Sequence, residues 1–169
     1  CGPSVVAHLS AQKGFAAAEA LNAELTAALG RTVNCAGALD LRQLSIVAGK
    51  YCWVAHLDVM VLDGSGGNLV DLVCLAAYAA LNSTAVPRTT AVVVEGGARA
   101  GQEDFDVDPD VASAWLLDAA SLPICITTVQ VNGRFIVDAT RSEELCSQAS
   151  LVVAADRDAA GLAATVGTI

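Results

Sequence analysis

The stretch from Tyr51 to Pro87 constrains the fold more than any other part of the chain. Its first part alternates at period two. Trp53, Ala55, Leu57, Val59 and Val61 share one apolar face, and Val54, His56, Asp58, Met60 and Leu62 share a mixed one. That pattern predicts a strand of about ten residues with one dry face. Gly64-Ser65-Gly66-Gly67 then turns the chain, and Asn68 stands where a helix N-cap is needed. Asp71, three residues on, suits the free N–H groups and the positive end of the helix dipole. From Leu69 to Leu81 the residues are apolar all the way round, with small Ala76, Ala77, Ala79 and Ala80. A helix without a polar stripe is expected to be buried, its alanines allowing close approach to a sheet.

A chain of 169 residues is one domain, or most of one. At that length roughly 70% of the unfolded surface is buried, so no staples are required. The chain is 54% hydrophobic, yet Asp71 interrupts its most apolar run well short of the about 18 uncharged residues that span a bilayer. No basic-then-apolar leader is evident, so nothing suggests secretion. The net charge of −9 argues against a broad nucleic-acid-binding surface on this segment. It leaves room for a few arginines in a shared channel. The six cysteines form no C-x-x-C pair, and Cys52, Cys74 and Cys125 fall inside apolar runs, as reduced, buried cysteines do. The start at Cys1 and the irregular lead-in suggest a segment of a longer protein.

Residues 1–15 show no period and read as loop or strand end. Ala16 to Leu29 has helical spacing with a charged outer face, and Gly30 is the expected stop. After a linker from Asn34 to Asp40, Leu41 to Val47 reads as a short strand. Ala48-Gly49-Lys50 makes it a hairpin with the long strand. Thr89 to Val94 is a further strand, and Gly96 to Asp110 a solvated acidic loop. Its alternating carboxylates lack the mid-loop glycine and closing glutamate of an EF-hand. Val111 to Leu117 is ambiguous between helix and strand. Ile124 to Val131 and Arg134 to Val137 flank Asn132-Gly133, a strong hairpin signal. Thr140 begins a short helix running to Gln148, with Glu143 completing a capping-box pattern. Ser150 to Ala154 and Gly161 to Val166 read as strands around a turn at Asp156 to Asp158. Hairpin pairs around a buried helix indicate an α+β architecture rather than a nucleotide-binding βαβ array.

Few positions look chemical. The Gly64 to Asn68 turn lies where phosphate loops occur, but it lacks the Lys-Ser/Thr of a P-loop and the dinucleotide spacing, so a structural turn is expected. His8 and His56 have no Cys or His at ligand spacing. His56 reads as a core or second-face residue, and Asp58 beside it as a partnered carboxylate or one facing a cleft. Asp138 with Glu143 and Glu144 is the best acid/base candidate. Asp138 ends a strand and Glu144 follows one short turn later, so both can point to one pocket. The alternative is a capping box with exposed glutamates.

These residues carry a specific resemblance. Leu39-Asp40-Leu41, Tyr51-Cys52-Trp53-Val54, Leu57-Asp58-Val59, Gly67-Asn68-Leu69, Asp71, Ala79-Ala80-Leu81 and Val86-Pro87-Arg88 resemble the RNase PH family. Leu122-Pro123, Thr127, Val137-Asp138-Ala139-Thr140, Glu143-Glu144 and Cys146 continue the pattern in order, from about Ala17 to Gly167. The Cys-Trp-Val and Val-Asp-Ala-Thr-x-x-Glu-Glu segments point to a branch that forms part of the exosome ring. The resemblance implies a two-layer fold like ribosomal protein S5 domain 2, here partial. Residues 1–169 would be a single RNase PH-like domain lacking its N-terminal part and its extreme C-terminal segment.

The resemblance also implies a function: a non-catalytic structural subunit of the RNA exosome ring, supporting 3′-to-5′ RNA processing and degradation, including rRNA maturation. Its partners would be other RNase PH-like ring subunits, cap subunits and RNA in a shared channel. It would work in nucleus, nucleolus and cytoplasm, without cofactor or metal. The alternative is a phosphate-dependent 3′-to-5′ exoribonuclease, in which Asp138 and Glu144 belong to an active site beside a phosphate pocket. The segments for the phosphate-binding arginine would lie before Cys1.

Overall fold

The structure is a computed structural model that describes residues 4–11, 18–35, 37–64, 66–94, 103–155 and 165–168; for 4–11, Ala18 and 165–168 it describes the backbone alone. Strand β1 (Ser4–Ala11) pairs in parallel with β4 (Val54–Val61), Ser4 opposite Val54 and Ala11 opposite Val61. The irregular lead-in is therefore a full strand, which its composition hid. In β4 the expected dry face holds: Leu57 and Val61 are buried and Ala55 and Val59 half-buried, while Val54, His56, Asp58 and Met60 are exposed. The expected strand breaks at Trp53, whose N–H donates instead to the Leu44 carbonyl at 2.8 Å, leaving Tyr51–Cys52 as a separate β3.

Helix α1 (Ala18–Val33) runs through Gly30 instead of stopping there. Leu29, Thr32 and Val33 are buried against the core. Burying such side chains, at roughly 1.5–3 kcal/mol each, outweighs the ~1 kcal/mol that glycine costs inside a helix. Between Leu41 and Val47 the expected strand is a 3₁₀ turn, Leu41–Leu44, followed by β2 (Ser45–Val47). Asp40 causes this: its carboxylate accepts the Arg42 N–H at 3.0 Å and tightens the chain into a turn. The β2–β3 hairpin turns at Gly49 with φ +76°.

Helix α2 (Leu69–Asn82) is capped as expected, Asn68 accepting the Asp71 N–H at 3.1 Å. Its burial is one-sided rather than complete. Val70, Val73, Cys74, Ala77 and Leu81 are buried, whereas Leu72 and Leu75 are about half exposed, at 50% and 48%. α1 packs on β1, α2 packs on β9 of a second sheet and also reaches β4, and the two helices pack on each other. Between them lies Thr32, whose Oγ1 is 3.5 Å from Cys74 Sγ and 3.3 Å from Cys125 Sγ. The hydrogen bond with Cys125, and then burial, push the Cys74 thiol up. Among the described residues, Cys35, Cys52, Cys74, Cys125 and Cys146 take part in no disulfide.

The second sheet has four strands in the order β10-β9-β11-β12, all antiparallel. They are β9 (Ile124–Val131), β10 (Arg134–Val137), β11 (Ala149–Ala155) and β12 (Thr165–Thr168). The β9–β10 hairpin matches its expected bounds, with Asn132 and Gly133 at φ +49° and +74° as a tight turn of matching twist demands. Of the final expected strand, residues 161–164 lie outside the described residues, as does the turn at 156–158.

Small ribbons complete the chain. β5 (Ala85–Val86) pairs with β8 (Trp115–Leu116), and β6 (Thr89–Val93) with β7 (Glu103–Val107). The acidic stretch expected as a loop is thus in part a strand; its residues 96–102 lie outside the described residues. Asp108, Asp110 and their neighbours turn their carboxylates to local backbone N–H groups instead of to a shared ion. The ambiguous segment resolves into both forms, a 3₁₀ turn at Val111–Ser113 and then β8.

Candidate functional site

Asp138 follows β10 in a left-handed conformation, φ +56°, which aspartate tolerates better than most residues. This kink carries its carboxylate off the hairpin toward the start of α2. There Gly67, at φ +71°, exposes its backbone so closely that a Cβ on it would lie 2.7 Å from Asp138 Oδ1. Asn68, 3% exposed, is the hub. Its N–H donates to Asp138 Oδ1 at 3.1 Å, and its Nδ2 donates to Glu144 Oε1 at 2.7 Å. Its Oδ1 meanwhile caps the helix. One asparagine therefore holds both acidic candidates with two separate N–H groups.

Glu144 comes from α3 (Arg141–Leu145), and its other oxygen accepts Arg141 Nη1 at 3.1 Å. Glu143 does not join the site. Its Oε2 accepts both the N–H and the hydroxyl of Thr140, each at 2.8 Å. Those bonds, the backbone one first, hold its carboxyl below the usual range. Glu143 thus takes the capping role, whereas Asp138 and Glu144 are both held on Asn68, and of these two only Glu144 lines the pocket beside it. The helix stops at Leu145, short of Gln148, as Cys146 donates its N–H back to Glu143.

Asp71 does more than favour the helix dipole. Its carboxylate leaves α2 and accepts the N–H and the hydroxyl of Thr127 on β9, at 2.8 and 2.7 Å. That clamp fixes the helix start to the sheet that presents Asp138. Beside Asn68 lies a pocket of about 120 Å³, walled by Leu21 and Leu25 of α1 and by Leu69 and Val70 of α2. Glu24, Arg141 and Glu144 also line it. His56 and Asp58 are on the exposed face of β4, away from this grouping, so Asp58 is neither buried nor partnered by any described hydrogen bond. Among the described residues, no three His, Cys, Asp or Glu side chains come together as a metal site would need.

The sequence singled out Asp138 and Glu144 but took Asn68 only as a cap and passed over Arg141 and Glu24. Arg141 carried a readable signal, since it stands three residues before Glu144 on one helix. The bridging by Asn68 had none, as its partners are 70 and 76 positions away.

The structure is a mixed fold with sheet-borne helices in which two acids converge on one helix start. Residues 121–164, which include β9, β10, α3 and β11, match the 3′ exoribonuclease family, domain 2. The chain is 32% identical over 135 residues to the exosome complex component Rrp42 of Archaeoglobus fulgidus, covering 80% of this chain and 45% of that protein. It superposes on a chain of an archaeal exosome core with TM-score 0.69 and 25% identity, covering 99% of this chain and 58% of that one. A second solved structure, the Archaeoglobus fulgidus exosome with RNA bound to the active site, gives TM-score 0.68 at 26% identity, covering 98% and 60%. Over these spans the chain is similar to proteins of the RNase PH family. It spans between 32% and 46% of the length of the curated relatives it matches.

Proposed function

We propose that this chain is part of a non-catalytic structural subunit of the RNA exosome ring, acting in 3′-to-5′ RNA processing and degradation, including rRNA maturation. In this reading residues 1–169 form one RNase PH-like unit of a longer protein. Its neighbours are other RNase PH-like ring subunits and cap subunits, RNA passes through their shared channel, and the assembly works in nucleus, nucleolus and cytoplasm. No cofactor or metal is required of it.

One observation carries the proposal: the backbone N–H and the side-chain amide of Asn68, the cap residue of α2, are both taken by the protein's own carboxylates. Phosphorolysis uses inorganic phosphate as the nucleophile, and a helix start with free N–H groups is a natural cradle for it. Here Asp138 accepts the backbone N–H of the cap residue Asn68 and Glu144 its side-chain amide, so two carboxylates already stand at that helix start, and Arg141 is engaged by Glu144. A phosphate about 5 Å from either carboxylate would meet a repulsion of about 3 kcal/mol per charge pair at an effective dielectric near 20. The names of the relatives, exosome complex component and exosome core, agree with a place in such an assembly.

The second reading is a phosphate-dependent 3′-to-5′ exoribonuclease using Asp138 and Glu144. It draws on the meeting of these two acids at one helix start. Affinity purification of the tagged full-length protein separates the two. The expected result is recovery with ring and cap subunits in near-equal amounts, with Asp138→Asn leaving RNA decay by the assembly nearly unchanged. Recovery alone, with phosphate-dependent release of nucleoside diphosphates that Asp138→Asn abolishes, would establish the enzyme instead.

A further inference from the structure

We infer that the pocket between α1 and the start of α2 is a socket for a lysine side chain of a neighbouring protein subunit. The inference rests on the ring reading above. The pocket's walls and mouth differ in chemistry. Leu21, Leu25, Leu69 and Val70 line it, and Glu24 and Glu144 add carboxylates. A long aliphatic stem ending in a cation matches that gradient: the methylenes cover apolar wall while the ammonium stays beside the acids. The volume, about 120 Å³, suits one side chain, since cavities of ~150 Å³ hold a benzene molecule.

Charge selects the sign of the occupant. Arg141 and Glu144 form an ion pair at 3.1 Å and cancel, and Asp138 sits one hydrogen bond away on Asn68. Glu24 is exposed and makes no described hydrogen bond or ion pair. The excess is negative, which disfavours phosphate and favours a cation. Lysine fits better than arginine. A guanidinium gains most where it can stack on an aromatic face, and among the described residues no aromatic ring lines the pocket, whereas an ammonium needs only the carboxylate.

The surroundings favour a protein as the source over a free polyamine. Leu62, two residues before Gly64, is 69% exposed, and Leu145, next to Glu144, is 73% exposed. Large exposed apolar side chains close in sequence to residues that line the pocket suit a protein contact, and a small amine would leave them wet.

The test uses the assembly purified through the full-length protein. Carbodiimide joins a carboxylate directly to an amine it touches, and peptide mass spectrometry locates the bond. The expected result is a Glu24–lysine link to one ring subunit, lost in Glu24→Gln, with that subunit released about two- to five-fold more readily at ~0.1 M salt. Glu24 is exposed, so the variant folds. Recovery of the complete ring with Glu24 unlinked would overturn the socket and leave the ring reading standing. Recovery without any ring subunit would overturn both. Protection of Glu24 in the isolated protein by spermidine, equal to that given by the ring, would assign the pocket to free amines and sink the subunit contact.

Discussion

The carboxylate of Asp71 spans the interface between α2 and β9 to accept both the N–H and the hydroxyl of Thr127, at 2.8 and 2.7 Å. Thr127 is 4% exposed, so neither of its donors has water to fall back on. Asp71→Ala is expected to destabilise the protein by about 2–4 kcal/mol, through two buried donors left unpaired. Asp71→Asn keeps an acceptor and should cost about half of that. Denaturant unfolding of the two variants checks the order, and equal midpoints would remove the clamp from the account of stability.

Gly67 makes a second comparison possible. Gly67→Ala must place a side chain at φ +71° and within 2.7 Å of Asp138 Oδ1. Gly133→Ala meets the same backbone penalty at φ +74°, but in open space. The expected costs are about 1 kcal/mol for Gly133→Ala and about 2–4 kcal/mol for Gly67→Ala, the excess coming from the displaced carboxylate. Urea midpoints measure both; a Gly67→Ala cost no larger than that of Gly133→Ala would contradict the close approach.

On α2, neighbouring alanines should behave oppositely. Ala77 is fully buried and Ala76 is exposed. Ala77→Glu is expected to prevent folding, an unpaired buried charge costing more than about 4 kcal/mol, while Ala76→Glu stays within about 0.5 kcal/mol of the parent. Soluble expression and thermal unfolding report on each. A folded Ala77→Glu protein with unchanged unfolding would displace the helix from the core.

Glu143 supplies a pH dependence whose sign follows from its bonds. The Thr140 N–H, and then the Thr140 hydroxyl, lower its pKa in the folded state. Its contribution to stability is therefore present above the unfolded glutamate value, about 4.3, and lost as pH falls through the lower folded value. An NMR titration of the Glu143 carboxyl carbon should give a midpoint below the unfolded value, and Thr140→Val should bring it partway back. A wild-type midpoint at or above 4.5 would show that the bonds do not persist in solution.

What the sequence by itself determined was local. The Asn132-Gly133 hairpin, the Asn68 cap, the Thr140–Glu143 pairing and the alternation of β4 each depend on residues a few positions apart, where geometry follows from backbone period and side-chain reach. The resemblance to RNase PH proteins was legible for the same reason, being carried by short motifs in register.

What only the tertiary structure decided were relations at long separation. It pairs β1 with β4, carries α1 through Gly30, draws 103–107 into a ribbon and leaves one side of α2 exposed. Most consequentially, it makes one asparagine the partner of both Asp138 and Glu144. A carboxylate's role is set by which donors packing brings within 3 Å or so, and packing sums weak contributions from the whole chain. Asp138 alone reads as a catalytic acid; in the structure its carboxylate accepts the backbone N–H of Asn68.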